Sequence, residues 1–304
     1  MSFENKFALE DAAPKAESVS RRKELVAGEY AVVTGLRDEN YQKEIEEDPK
    51  RKPMLSALEA HNKIVLDYAN ELITENPELN SEDKVAATLA TILHDGGKLS
   101  STLLEHHLKG TVAAEEILNN LMSSLKSFEG FLITERLKRK VKEAIERHMN
   151  HPFLVKQNKG ERFPEPQDAI DKVVFDADML ANIGFKNVMF RLINEHFSEE
   201  DRKTAEEKDI TPIQAAFENV LEGAKDLEST VMSAPAKELA KKLIGVTKEI
   251  FEGMDFKRID LELKGEKDPQ IIKKFLNEEI ERIGKQVRVE GGVEAGIDIK
   301  NFLM

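Results

Sequence analysis

The residues in this chain best able to do chemistry are its histidines: six of the seven, His61, His94, His106, His107, His148 and His151, fall in one stretch, and only His196 lies beyond it. His94 is followed directly by Asp95 in Leu93-His94-Asp95-Gly96-Gly97-Lys98, and a second acidic pair, Asp176 and Asp178, comes soon after the last of the six. Imidazole and carboxylate together suit Mn, Fe, Ni, Co or Zn, whereas an all-oxygen Mg or Ca cage has no use for so many histidines. There is no cysteine, which excludes disulfides, thiolate ligands and cysteine nucleophiles, so any metal must be held by nitrogen and oxygen.

Helical periodicity puts several of these residues on apolar stripes. Leu58, His61, Ile64, Val65, Tyr68 and Leu72 recur at three- and four-residue steps, and Asn76-Pro77 closes the segment. A second helix is expected from Asn80-Ser81 through Val85, Leu89, Ile92 and Leu93 to Gly96-Gly97, with His94 and Asp95 in its last turn. Gly110 is expected to open another beyond His106 and His107, and a helix from near Thr134 carries Leu137, Val141, Ala144 and Ile145 on to His148. Between Pro166 and Gly184, Asp178 lies one turn beyond Val174. Thr211-Pro212-Ile213-Gln214, Ser233 and Asp268-Pro269 mark later starts. Only Tyr30 to Thr34 reads as a strand, and a short one. The fold class this predicts is all-α.

A polar group on an apolar stripe has to be satisfied, since an unpaired buried imidazole or carboxylate costs on the order of several kcal/mol. One histidine on such a stripe is more often a hydrogen-bonded core residue than a ligand, and a His-Asp doublet recurs by chance. The argument rests on the ordered set: His61, His94-Asp95, His106 or His107, His148 and Asp178, each on a separate helix or helix edge.

This set resembles the motif of the HD superfamily of metal-dependent phosphohydrolases: a histidine on one helix, an adjacent His-Asp on the next, and a later aspartate, often inside Ala-Asp-x-Leu. The matching words are Glu59-Ala60-His61-Asn62, Leu93-His94-Asp95-Gly96-Gly97-Lys98 and Asp176-Ala177-Asp178-Met179-Leu180. The resemblance covers about residues 55 to 255, including Leu227 to Met254, which looks like the closing helices of small stand-alone bacterial members. It implies a helical bundle with a metal site in its core, in which His61, His94, Asp95 and Asp178 hold a first ion. Where members carry a second ion, Asp95 bridges, and His106 or His107 with His148 completes the outer site. Two such ions would be about 3.5 to 4 Å apart and would hold a bridging hydroxide, the expected nucleophile.

The implied reaction is hydrolysis of a nucleotide or other small phosphate ester, with Asp95, Lys98 and Asp176 as the catalytic set. Lys98 is expected to reach a phosphate oxygen, Asp176 to orient a ligand or a water, and Arg191 to meet substrate phosphate. His151 departs from the adjacent His-His of some members and is expected on the substrate-facing rim. The glycine pair Gly96-Gly97 also departs from the family pattern and is expected to loosen Lys98. Two alternatives stand beside hydrolysis: an HD-type di-iron oxygenase, and a non-catalytic signalling or scaffold module.

The chain divides into an N-terminal extension over 1–52, partly irregular, a helical metal-binding domain over 53–255, and a C-terminal helix and tail over 256–304. A net charge of -13 opposes attraction to phosphate backbones, so polymeric nucleic acid is not an expected partner. The basic run Arg136-Leu137-Lys138-Arg139-Lys140-Val141-Lys142 reads as a solvated helix face. No apolar run approaches the roughly 18 to 20 residues that cross a bilayer, and the start, Met1-Ser2-Phe3-Glu4-Asn5-Lys6, lacks a basic region followed by an apolar core. A cytoplasmic protein with a small phosphorylated substrate and no membrane partner is expected. A homodimer is allowed for, although nothing in the sequence argues it.

Overall fold

The structure is a computed structural model that describes residues 16–183 and 199–263, with a few positions between 271 and 283. Among these residues the chain is helical apart from one two-stranded hairpin. The elements are α1 (Ala16–Glu47), a 3-10 turn (Pro49–Arg51), α2 (Lys52–Glu75), α3 (Ser81–Leu93), α4 (His106–Ser124), β1 (Ser127–Phe128), β2 (Phe131–Leu132) and α5 (Glu135–Glu146). They continue with α6 (Pro152–Gln157), α7 (Ala169–Asn182), α8 (Glu199–Lys208), α9 (Pro212–Thr230), α10 (Ala234–Gly253) and α11 (Phe256–Glu262). No described helix is long and apolar enough to cross a membrane.

Helix starts lie where short oxygen-bearing side chains can accept from orphan amides. Asn80, Thr134, Asp168, Thr211 and Ser233 each accept from the backbone of the first turn that follows. Gln214, in the first turn of α9, donates its side-chain amide to Glu218 at 3.2 Å.

The centre of the molecule is α3, buried on all sides from Val85 to Leu93. Around it, α2 packs on α7 and α3, while α5 lies against α3, α4 and α7. Val65, Leu89, Leu118, Leu121, Val141 and Val174 are fully buried where these five helices meet, each such side chain contributing about 1.5 to 3 kcal/mol. The chain leaves this core at the C-terminal end of α3, which is where His94 and Asp95 stand. A second cluster, from Phe217 and Val220 to Ile250, Met254, Ile259 and Ile283, joins α9, α10 and α11.

Two local expectations are overturned. Tyr30 to Thr34 is helical, in the middle of α1. Tyr30 stacks on Phe128 at 5.1 Å and its hydroxyl donates to Glu129 at 2.8 Å, while Val33 is fully buried, so tertiary packing overrides local strand propensity. Gly110 does not open α4, which starts four residues earlier at His106. It sits inside the helix because a Cβ there would stand 3.0 Å from the His94 carbonyl oxygen. The expected helix from Asp268 falls mainly outside the described residues.

Candidate metal centre

Five elements bring the predicted residues together: His61 from α2, His94 and Asp95 from the turn after α3, His106 from the first turn of α4, His148 from the turn after α5, and Asp178 from α7. Asp95 lies at the middle. Its Oδ2 is 3.8 Å from His61 Nε2 and 3.5 Å from His94 Nε2, and its Oδ1 is 3.5 Å from His106 Nε2. His106 Nε2 is in turn 3.2 Å from His148 Nε2, and Asp178 Oδ1 is 3.0 Å from His61 Nε2. Two candidate groups result, His61 with His94 and Asp95, and Asp95 with His106 and His148, the donor atoms of each lying within 4.8 Å of one another.

The backbone decides which ring nitrogen each histidine offers. His94 Nδ1 is 2.8 Å from the Thr91 carbonyl oxygen, His106 Nδ1 is 2.7 Å from that of Leu103, and His148 Nδ1 is 2.5 Å from that of Ile145. A carbonyl only accepts, so in all three rings Nδ1 carries a proton, and where the ring is neutral Nε2 presents a lone pair. Burial, against the opposing charge of Asp95, pushes His94 down to about 4 and His106 down to about 3, which keeps both neutral near pH 7. The Nε2 atoms of His106 and His148 face each other across 3.2 Å. His94 Nε2, fully buried, has no hydrogen-bond partner among the described residues. A cation held by His61, His94 and Asp95, and another held by Asp95, His106 and His148, would satisfy these nitrogens, and such donor sets fit divalent transition ions.

The carboxylates are ready as ligands. Burial would raise the Asp95 carboxyl, but His94, Lys98, His106 and His61 outweigh it and hold Asp95 well below the usual carboxylate range. Burial acts the same way on Asp178, and the hydrogen bond and charge of His61 reverse it.

Lys98 Nζ donates to Asp95 Oδ2 at 2.8 Å. The glycine pair does not loosen it. A Cβ on Gly97 would lie 2.4 Å from the Gly110 amide nitrogen and 2.5 Å from Lys109 Cβ, so this glycine is a point of close approach between the loop and α4.

The remaining expected site residues lie elsewhere or at the edge. Asp176 faces away: its carboxylate accepts from the Met232 and Ser233 amides at 2.7 and 2.9 Å, at the start of α10. Two helical residues apart is about 200° around the axis, so Asp176 and Asp178 cannot share a face. His107 turns aside in the same way, its ring edge on Phe163 at 5.5 Å, which leaves His106 as the member of the cluster. His151 accepts at Nδ1 from the Phe153 amide at 3.1 Å, at the start of α6, and is only partly buried, consistent with a rim position. Burial lowers its pKa, opposed first by Asp178. Arg191 lies outside the described residues.

Contacts that sequence reasoning missed support the cluster from behind. Arg147, beside His148, donates to Asp171 Oδ2 at 2.9 Å, and Asp171 also accepts from the Gln167 amide at 2.9 Å, fixing the end of α5 to α7. From α1, Asn40 Nδ2 donates to the Gly96 carbonyl at 2.9 Å. Arg51 Nη1 donates to the carbonyls of Leu99 and Ser101. The unpaired carbonyls after α3 signal that donors are needed there, but no local pattern says which ones arrive from 50 residues away. The basic run on α5 is absorbed by neighbours: Lys138 by Glu135 at 2.7 Å, Lys140 by Asp83 at 2.5 Å and Lys142 by Glu115 at 2.6 Å.

No family model, curated protein or solved structure matches this chain.

Proposed function

We propose that this chain is an HD-type, divalent-metal-dependent phosphohydrolase acting on a nucleotide or other small phosphate ester. The observation that carries the reading is that the Nε2 atoms of His61, His94 and His106 stand 3.5 to 3.8 Å from the two oxygens of Asp95, with Nδ1 of His94 and of His106 committed to a backbone carbonyl. This is the arrangement that metal-ligating histidines adopt, one nitrogen oriented by the backbone and the other offered to the ion. Ions of the Mn, Fe, Ni, Co or Zn type held there would supply Lewis acidity toward a phosphoryl oxygen and acidify a water near neutral pH.

The chain's own residues provide the rest. His61, whose Nε2 lies 3.0 Å from Asp178 Oδ1, must present that nitrogen without a proton to become a ligand. Lys98, with a side chain 27% exposed, is paired with Asp95 at the cluster, and in this reading it takes a non-bridging phosphate oxygen once it leaves Asp95. His151 stands at the rim with Nε2 pointing away from its capping bond.

The test is metal quantification on the purified protein, followed by assay of the reloaded protein on a panel of phosphate monoesters, diesters and nucleotides. Bound transition ion with metal-dependent phosphate release is expected. Tight iron binding with oxygen uptake and no phosphate release would move the reading to oxygen chemistry. Absence of metal binding would leave only a non-catalytic module.

A further inference from the structure

We infer that Asn40 and Arg51, on and just after the N-terminal helix, are positioning residues of the metal centre. The inference rests on the metal-binding reading above. The segment Asp95 to Lys98 is grasped on both sides. Asn40 Nδ2 donates to the Gly96 carbonyl at 2.9 Å, one residue after Asp95. Arg51 donates to the carbonyl of Leu99, one residue after Lys98, and to that of Ser101 at 3.1 Å. Arg51 is itself oriented by Asp48, whose Oδ2 accepts from its Nε at 3.0 Å, and Asn40 by Glu44, whose Oε1 accepts from Nδ2 at 3.1 Å.

On its other side the same segment is pressed against α4, where Gly97 leaves no room for a Cβ beside Gly110. The loop bearing Asp95 is therefore held between α1 and the helix that begins with His106. Pressure from α1 sets the 3.5 Å span from Asp95 Oδ1 to His106 Nε2, the span a shared ion needs. Ligand geometry is exacting: a displacement of a few tenths of an ångström lengthens the bonds to an ion beyond their range of about 0.2 Å. A helix that reads in the sequence as an extension thus belongs to the site.

Both side chains act through backbone carbonyls, so the test is metal affinity rather than turnover alone. Mn²⁺ binding is titrated on the full chain for the parent, Asn40→Ala, Arg51→Ala, Arg51→Lys and Tyr30→Phe, with folding checked by circular dichroism. Tyr30→Phe removes the 2.8 Å bond to Glu129 at the far end of the α1 contact and serves as the control. Expected are at least tenfold weaker Mn²⁺ binding in the two alanine variants, partial recovery in Arg51→Lys, and parental affinity in Tyr30→Phe. Should an alanine variant fail to fold, Arg51→Lys, which keeps the charge but loses the two-pronged fork, must still bind more weakly than the parent. Parental affinity in folded Asn40 and Arg51 variants overturns the inference, as does an equal loss in Tyr30→Phe. A parent that binds no Mn²⁺, Fe²⁺ or Zn²⁺ instead overturns the metal reading beneath it.

Discussion

Asp95 is the one residue common to both candidate groups, and it uses both carboxylate oxygens. Asp95→Asn keeps its size and removes the charge, so it is expected to lose both ions in metal analysis after dialysis; retention of either at parental stoichiometry would refute the shared role. His148→Ala, which touches only the outer group, is expected to halve the stoichiometry of a two-ion protein. The histidines also set a pH dependence. His94 and His106, at about 4 and about 3 in the fold, lie below the ordinary 6.5. As pH falls below about 6.5 the unfolded chain takes up protons that the folded chain refuses, so metal-free protein loses stability down to about pH 4 for His94 and about pH 3 for His106, by up to about 1.4 kcal/mol per pH unit for each histidine. The depressed carboxyls of Asp95 and Asp178 act further down, their contribution being lost only as pH falls through values below the usual carboxylate range. Urea midpoints in chelator from pH 7 to 4.5 check this: His106→Asn is expected to show a slope shallower by about one proton, and parallel slopes would contradict it.

At the scale of elements, the site depends on how closely the loop after α3 approaches α4. Gly97→Ala places a methyl 2.4 Å from the Gly110 amide nitrogen, where only backbone movement makes room. It is expected to cost about 2 kcal/mol or more in urea denaturation, in the upper range for overpacking. In Gly96→Ala the nearest atom is the Leu93 carbonyl oxygen at 3.1 Å, so a smaller loss is expected, and the reverse order would show that the loop is not held against α4. The same elements show what the sequence makes legible. Helices whose buried stripe is apolar and whose first residue caps, α3, α5, α7, α9 and α10, can be read directly from period and cap. α1 cannot, because its buried face includes Arg37 and Glu44 beside Val33 and Tyr41, and a mixed face erases the apolar period. The His61, His94-Asp95, His148 and Asp178 positions follow from spacing, but the choice of His106 over His107 depends on where α4 begins. The outward turn of Asp176 is already contained in the roughly 200° between it and Asp178.

For the whole molecule, the centre joins parts of the chain that are distant in sequence, His61 and Asp178 being 117 residues apart. The candidate ligands lie on α2, α7, the loop after α3, α4 and the end of α5, so an ion held by them would stabilise the folded state as a unit. The acidic balance of -13 works in the same direction. Partners of the basic run on α5 are already inside the protein, whereas Lys98, among the described residues, stands against the cluster itself. Binding to the native state alone adds RT ln(1 + [L]/Kd), about 2.7 kcal/mol when the free ion stands at 100 times its dissociation constant. Mn²⁺ is therefore expected to raise the melting temperature of the full chain progressively with concentration, and excess chelator to reverse the rise. Asp95→Asn should abolish the response, whereas Lys98→Met, which removes the ammonium bonded to Asp95 Oδ2, should leave it intact or enlarge it. A rise of equal size in the parent and Asp95→Asn would mean that the ion acts elsewhere on this acidic surface, and the cluster would then be a buried polar network that serves the fold alone.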